Sequence, residues 1–242
     1  MKKFLIIALF CNVIMSCSVT ETIEILDDGS GTMTITELQD FKKIKYVMPD
    51  FSILKKDTIV DDLISDVIAK NAELFGRMSK AEQDLYMLYA NVRVQIQNNS
   101  KQQTGKVITL GKFSNINTLP NLHNAIDIRG NIINNRAISA KQKAGNLQFF
   151  YDGRIFKRMV KVLDTSYFAK ENFSEIFYRN KLKDVAYTAN YILDYKFPKK
   201  LKYVSNEKAV VSADKKQVSI VFSLLDVRRN PEITNFEVVF ED

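Results

Sequence analysis

The residues that could do chemistry are few. The chain of 242 residues holds one histidine, His123, and two cysteines, Cys11 and Cys17. His123 stands in Asn121-Leu122-His123-Asn124, an Asn-rich stretch where a lone imidazole reads as polar surface. A triad or a His-based metal site would have to use it alone. No second histidine and no spaced set of carboxylates accompanies it in the sequence, so neither a metal nor a cofactor is expected. Asp28-Gly29-Ser30-Gly31 has the glycines of a phosphate loop but not the lysine and helix that should follow. Ser52-Ile53-Leu54-Lys55 has the Ser-x-x-Lys spacing of penicillin-recognising enzymes without their two further motifs, and Ser79-Lys80 and Ser139-Ala140-Lys141 are no more specific. No catalytic residue is expected, and His123 is expected to be dispensable.

Cys17 is the informative residue. The chain opens Met1-Lys2-Lys3, continues with an apolar run from Phe4 to Met15 broken only by Asn12, and then reads Ile14-Met15-Ser16-Cys17. A charged start, a short apolar stretch and a small residue before the cut mark a secretory signal. The run is shorter than the roughly 20 apolar residues that a spanning helix needs. An apolar residue three before a cysteine and a small one just before it resemble the lipobox of bacterial lipoproteins. Residues 1–16 are therefore read as a lipoprotein signal peptide and Cys17 as the residue that receives the lipid. Cys11 lies inside the apolar run and leaves with the signal. Cys17 would then have no disulfide partner, and a leftover thiol in an exported protein needs another role. A lipid supplies one, since acyl chains add about 0.8 kcal/mol per buried CH₂ and two or more anchor stably. Ser18 is not the aspartate that resembles an inner-membrane retention signal. Ser18-Val19-Thr20-Glu21 carries one acid rather than the acidic cluster of surface-exported lipoproteins. The expected location is the outer membrane, with the folded part facing the periplasm.

Charge narrows the partners. Removing Lys2 and Lys3 with the signal takes the net charge from +7 to +5. The basic residues are scattered in pairs such as Lys42-Lys43, Lys199-Lys200 and Arg228-Arg229, as on solvated faces. A nucleic-acid reader would cluster them on one element, so no nucleic acid is expected. The membrane, through the lipid anchor, is the expected partner, with an envelope protein or lipid as a possible ligand. Oligomeric state is not legible.

The elements that must position these groups follow from periodicity. Val19–Leu26 and Thr32–Thr36 alternate, with Ile23, Ile25, Met33 and Ile35 on inner faces and Asp-Gly between them, the signal of a tight hairpin. Leu38 to Tyr46 reads as helical. Asp57 should cap a helix running to about Phe75, with Ile59, Leu63 and Val67 at helical spacing and Asp61-Asp62 exposed in its first turn. Ser79-Lys80-Ala81-Glu82 reads as a capping box opening another helix. Val92 to Gln97 and Lys106 to Phe113 alternate as paired strands, and Leu119–Ile126 should hold a short helix. A second Asp-Gly hairpin joins Leu147–Tyr151 to Arg154–Val162. Tyr167 to about Lys183 reads as helical, and four strands close the chain at 201–204, 209–212, 217–224 and 236–240. Tyr187, Tyr191, Leu193, Tyr195 and Phe197 alternate along one strand. The first reading of the 10 tyrosines and 16 phenylalanines is core packing. The sharper one makes Tyr187, Tyr191, Tyr195 and Phe197 the lining of an apolar cavity. The expected fold is α+β: an antiparallel sheet built from hairpins, with helices packed on one face. Residues 17–242 are read as one domain, with 114–146 the place where two lobes could divide.

A lipid-bearing cysteine followed by a strand, Asp-Gly-Ser-Gly and a returning strand resembles the start of many small lipoproteins of Bacteroidetes. The tail resembles theirs too, from Tyr195-Lys196-Phe197-Pro198 through Val204-Ser205-Asn206 to Ala213-Asp214-Lys215-Lys216-Gln217-Val218. The same plan is similar to the LppM-like lipoproteins of other bacteria. The resemblance implies an envelope lipoprotein with no assigned enzyme activity. Two functions are therefore expected as alternatives. One is a membrane-anchored, non-catalytic binding or structural module for a protein or lipid. The other is a hydrolase of envelope glycans or peptides, whose two carboxylates would come from distant positions and stand about 5–10 Å apart.

Overall fold

Strand β1 (Ser18–Ile25) and strand β2 (Gly31–Asp40) form the hairpin that the Asp-Gly signal requires. Gly29 turns the chain with φ of 80°, a conformation a Cβ disfavours. Asp28 holds the turn by accepting from the Ser30 amide at 2.9 Å and the Ser30 hydroxyl at 2.6 Å. The strand runs four residues past the expected Thr36, because Glu37 to Asp40 still pair with β5 (Thr104–Phe113). Helix α1 (Phe41–Val47) starts only after Asp40, whose carboxylate accepts from the Lys42 and Lys43 amides.

The computed structural model describes residues 17–47, 54–169 and 189–242. The signal segment 1–16, Pro49, Ser52, Tyr187 and most of the helix expected at 167–183 lie outside the described residues; residues 165–169 are helical. The remaining strands are β3 (Thr58–Leu63), β4 (Arg93–Asn99), β6 (Gly145–Tyr151), β7 (Ile155–Val162), β8 (Asn190–Lys196), β9 (Leu201–Val204), β10 (Val210–Val211), β11 (Gln217–Ser223) and β12 (Phe236–Phe240). They form two sheets, β10-β11-β8-β1-β2-β5-β4-β3 and β6-β7-β12-β9. The fold is thus α+β and mostly antiparallel. It departs from the single hairpin-built sheet expected, in that β1 lies between its hairpin partner and β8, which pairs with it in parallel. Nothing in β8 itself distinguishes that pairing, since alternation is the same in either direction.

One face of the larger sheet carries the core. Val218, Tyr195, Ile23, Met33 and Gly111 form one cross-strand row; Ile220, Leu193, Glu21, Ile35, Thr109 and Val94 form the next. The smaller sheet covers part of this face with Phe156, Phe236, Val238 and Phe240. Helices cover the rest: Ile64 and Val67 of α2 (Ile64–Lys70), Tyr86 of α4 (Lys80–Met87), and Ala125, Ile128 and Ile132 of α5 (Ala125–Asn134). Helix α3 (Ala72–Gly76) lies between α2 and α4 in the chain. Ile116 and Leu122 belong to the same core as Ala125, Ile128 and Ile132.

Helix α4 begins with the capping box expected: Ser79 Oγ accepts from Glu82 N, and the Glu82 carboxylate reaches back to Ser79 N. The helix expected from Asp57 is instead a strand followed by two short helices. Asp57 caps nothing there; it accepts from the amide and hydroxyl of Ser100. β3 pairs with β4 along its length, and Asp61, on the strand before α2, binds Arg93 at 2.6 Å while Asp62 binds Arg129 at 2.6 Å. Ile59 is 82% exposed, so its place in the helical stripe was a coincidence of spacing. Substituting Gly29 with valine should cost on the order of 1–2 kcal/mol, because it forces a β-branched residue into the left-handed region. Thermal denaturation of Gly29→Val checks this, and an unchanged Tm would contradict the turn.

Candidate functional site

Glu21 occupies a position where the core pattern calls for an apolar residue. It is in phase with Ile23 and Ile25 on β1 and is fully buried. An isolated carboxylate there would be several kcal/mol too costly to keep ionised. The second sheet supplies its partner. Arg158, in phase with Phe156 on β7 and 2% exposed, grips the carboxylate with two parallel bonds, Nε to Oε1 and Nη2 to Oε2, each 3.0 Å. This fork geometry is the strongest an arginine makes.

Two tyrosines four residues apart on β8 close the network from beside it. The Tyr191 hydroxyl donates to Oε2 at 2.7 Å and the Tyr195 hydroxyl donates to Oε1. Each also accepts from the guanidinium, Tyr191 from Nη2 at 3.1 Å and Tyr195 from Nε at 3.0 Å. The third guanidinium nitrogen, Nη1, turns to the hydroxyl and carbonyl of Thr234, in the 3₁₀ turn Pro231–Thr234. The Thr234 hydroxyl in turn donates to the Pro231 carbonyl at 2.6 Å.

His123 completes the group. It sits in the 3₁₀ turn Leu122–Asn124, whose start is capped by the Asn121 side chain. Its Nε2 lies 2.8 Å from Glu21 Oε2 and 3.0 Å from the Tyr191 hydroxyl, with the two rings stacked at 5.9 Å. The expectation of a free surface imidazole is therefore corrected. The Asn-rich stretch folds back onto the sheet because Leu122 packs beside Gly111, where a Cβ would stand 2.8 Å from the leucine.

The electrostatics follow from these contacts. Burial pushes the Glu21 carboxyl upward, but the Arg158 charge and the bonds from His123 and Arg158 outweigh it and hold it well below the carboxylate range. Burial lowers Arg158, and Glu21 more than reverses that. Burial and the adjacent carboxylate both raise the phenols of Tyr191 and Tyr195, so they remain protonated donors. Five donors converge on a carboxylate that offers about four lone-pair sites. The cluster is saturated.

A cleft of about 420 Å³ opens above this cluster. Leu147, Val160, Phe168 and Tyr191 form apolar wall, and His123, Arg158, Lys141 and Arg228 bring polar groups to it. Of the lining residues expected from alternation, only Tyr191 reaches it. Tyr195 and Phe197 pack between the sheets, with ring centroids 5.6 and 5.1 Å from Phe156, and Tyr187 lies outside the described residues. Cys17 is buried immediately before β1, at the end of the sheet that carries the cleft: Val19 pairs with Glu37 and Tyr191, both cleft residues. Among the described residues no three His, Cys, Asp or Glu side chains gather as ligands for a metal ion, and no helix is long and apolar enough to cross a membrane.

The sequence did contain a signal for Glu21 and Arg158. Each is an ionisable residue in phase with apolar neighbours on an alternating strand, and the two have opposite sign. Removing one partner should be costly. Glu21→Ala leaves the buried Arg158 charge uncompensated and should lose about 3–5 kcal/mol. Because the folded carboxyl titrates below its ordinary value of 4.5, its contribution is complete above that pH and is lost as the pH falls through the folded value. Urea midpoints measured from pH 7 down to pH 3 should fall in the wild type, and Glu21→Gln should flatten that acid limb. A Glu21→Ala protein as stable as wild type at pH 7 would refute the assignment.

No family model matches the chain, and no curated protein matches it. Among solved structures it is similar to the NMR structure of the LppM protein folded domain from Mycobacterium tuberculosis, at 10% identity and a TM-score of 0.36. The match covers 94% of this chain and 91% of that one.

Proposed function

We propose that this chain is a lipid-anchored protein of the bacterial envelope and works as a non-catalytic binding module for a protein or lipid partner. It is held through Cys17 at the outer membrane, with its folded part on the periplasmic side. The observation that carries the non-catalytic reading is the saturation of Glu21. A general base or nucleophile needs a free lone pair and access to substrate. Glu21 has neither, since it is fully buried and ringed by five donors. The same network presents a stiff floor to the cleft, whose walls are largely apolar with a few convergent polar groups, as in many ligand sites.

The anchoring reading is supported by the apolar run ending in Ile14-Met15-Ser16-Cys17 and by the resemblance to Bacteroidetes lipoproteins. Its geometry is simple. β1 begins at Ser18, directly after Cys17, so no flexible tether separates the lipid from the fold. The folded part then sits against the headgroups. Cells fed labelled fatty acid should label the wild-type protein and not Cys17→Ala, which should leave the membrane fraction. An unlabelled wild type would overturn the anchor. Protease added to intact cells should leave the protein whole until the outer membrane is opened; digestion before that point would place it on the cell surface.

A further inference from the structure

The smaller sheet ends in an edge that is partly filled by a side chain standing in for a strand. Asn117 Nδ2 donates to the Tyr151 carbonyl at 3.1 Å, and Asn117 Oδ1 accepts the Tyr151 amide at 2.7 Å. A primary amide making both bonds copies the way a neighbouring backbone would pair. Asn235 does the same on β7, binding the amide and carbonyl of Val160 just before the start of β12. On β7 the imitation continues a real ladder, because β12 follows it. On β6 no strand follows among the described residues.

Alternation fixes which groups are left over. The β6–β7 register pairs Tyr151 with Phe156, Phe149 with Arg158 and Leu147 with Val160. Tyr151 spends both backbone groups outward on Asn117, so Phe149 and Leu147, in the same phase, also direct their N–H and C=O groups to the outer edge. A slot of about 310 Å³ runs alongside, between Leu147 on one side and Leu88, Leu119, Pro120 and Ile128 on the other. Its lining includes no Asp, Glu, Lys or Arg. It opens into the cleft, with which it shares Asn121, Asn124, Gly145, Asn146 and Leu147. There Arg228 and Lys141 stand with a single acid of the lining, Glu37; Lys141 also binds Asp127 at 3.3 Å, and the charge of Arg158 is already taken up by Glu21.

We infer that an extended peptide with an acidic end adds to the β6 edge as a further strand, its apolar side chains in the slot and its carboxylate toward Arg228. The inference rests on the binding-module reading and names its partner. Unpaired edge groups are a template for exactly such pairing with another chain. At about 3.3 Å per residue the edge from Gly145 to Phe149 holds about five residues. Alternate residues of the guest would face the slot, and the intervening ones would stay polar.

The probe is an array of capped hexapeptides alternating Val, Leu or Phe with Thr. Each is made ending in Glu and in Gln, and again with N-methyl groups on alternate amides. The protein is the full mature chain in detergent. Binding read by fluorescence anisotropy should fall at least tenfold on N-methylation in one phase and not in the other. It should fall about threefold or more from Glu to Gln, and Arg228→Glu, at an exposed position, should abolish that preference. Residue-resolved hydrogen exchange should slow at Leu147 and Phe149 when peptide binds. Equal binding of both N-methyl phases, no binding, or unchanged exchange at those amides overturns the inference. If phosphatidylglycerol vesicles then occupy the cleft, the binding-module reading stands with a lipid partner. If the protein cleaves the peptides, that reading falls as well.

Discussion

A buried ion pair sets the relation between the two sheets. Glu21 comes from the middle of the larger sheet and Arg158 from the smaller one, so neither charge can be satisfied unless the sheets meet at one register. Sliding either sheet by one residue would turn one charge to the outside and leave the other buried alone. Apolar residues could fill the same volume, often at equal or lower cost. They would tolerate several arrangements, whereas the fork of Arg158 on Glu21 tolerates one. The pair is thus a device of specificity more than of stability. Its reach extends through Tyr191 and Tyr195 into β8, through His123 into the 3₁₀ turn of the 121–124 stretch, and through Thr234 into the turn before β12.

This has a bearing on the cleft. Its floor is made from groups held to one another by many hydrogen bonds, so a ligand meets a surface that need not reorganise. The aromatic content reads the same way. Phe156 lies within 6 Å of Tyr195, Phe197 and Phe236, and these rings fill the space between the sheets. Their work is packing, and among the described residues the Tyr191 ring is the one shared between core and cleft.

Much of the local structure was legible because it rests on local chemistry. Both Asp-Gly turns, the Ser79 capping box and most of the strand phases follow from residues within a few positions of each other. What escaped depends on distant partners. The stretch from Asp57 has both helical spacing and β-branched residues, and β4, more than 30 residues on, decides for the strand. The parallel pairing of β1 with β8 and the division into two sheets leave no trace in alternation. The site escaped for the same reason. Ile23 and Ile25 marked the inner face of β1, and extending that phase by one step lands on Glu21. His123 was read as surface because an Asn-rich stretch suggests a loop, and here the asparagines instead build tight 3₁₀ turns that carry the imidazole inward.

The placement of β1 has a mechanical side. It is a central strand, registered with β2 through eight residues and with β8 through seven, and residue 17 precedes it directly. A pull applied at Cys17 along the strand would load both ladders in shear, every bond at once, instead of opening them one by one from an end. Were the chain tethered there while the rest of it was dragged by a bound partner, force would enter the fold where it is most resistant. The sheet would hold as a unit until the whole strand slid, and its rupture rate, not its equilibrium stability, would set how long the attachment lasts.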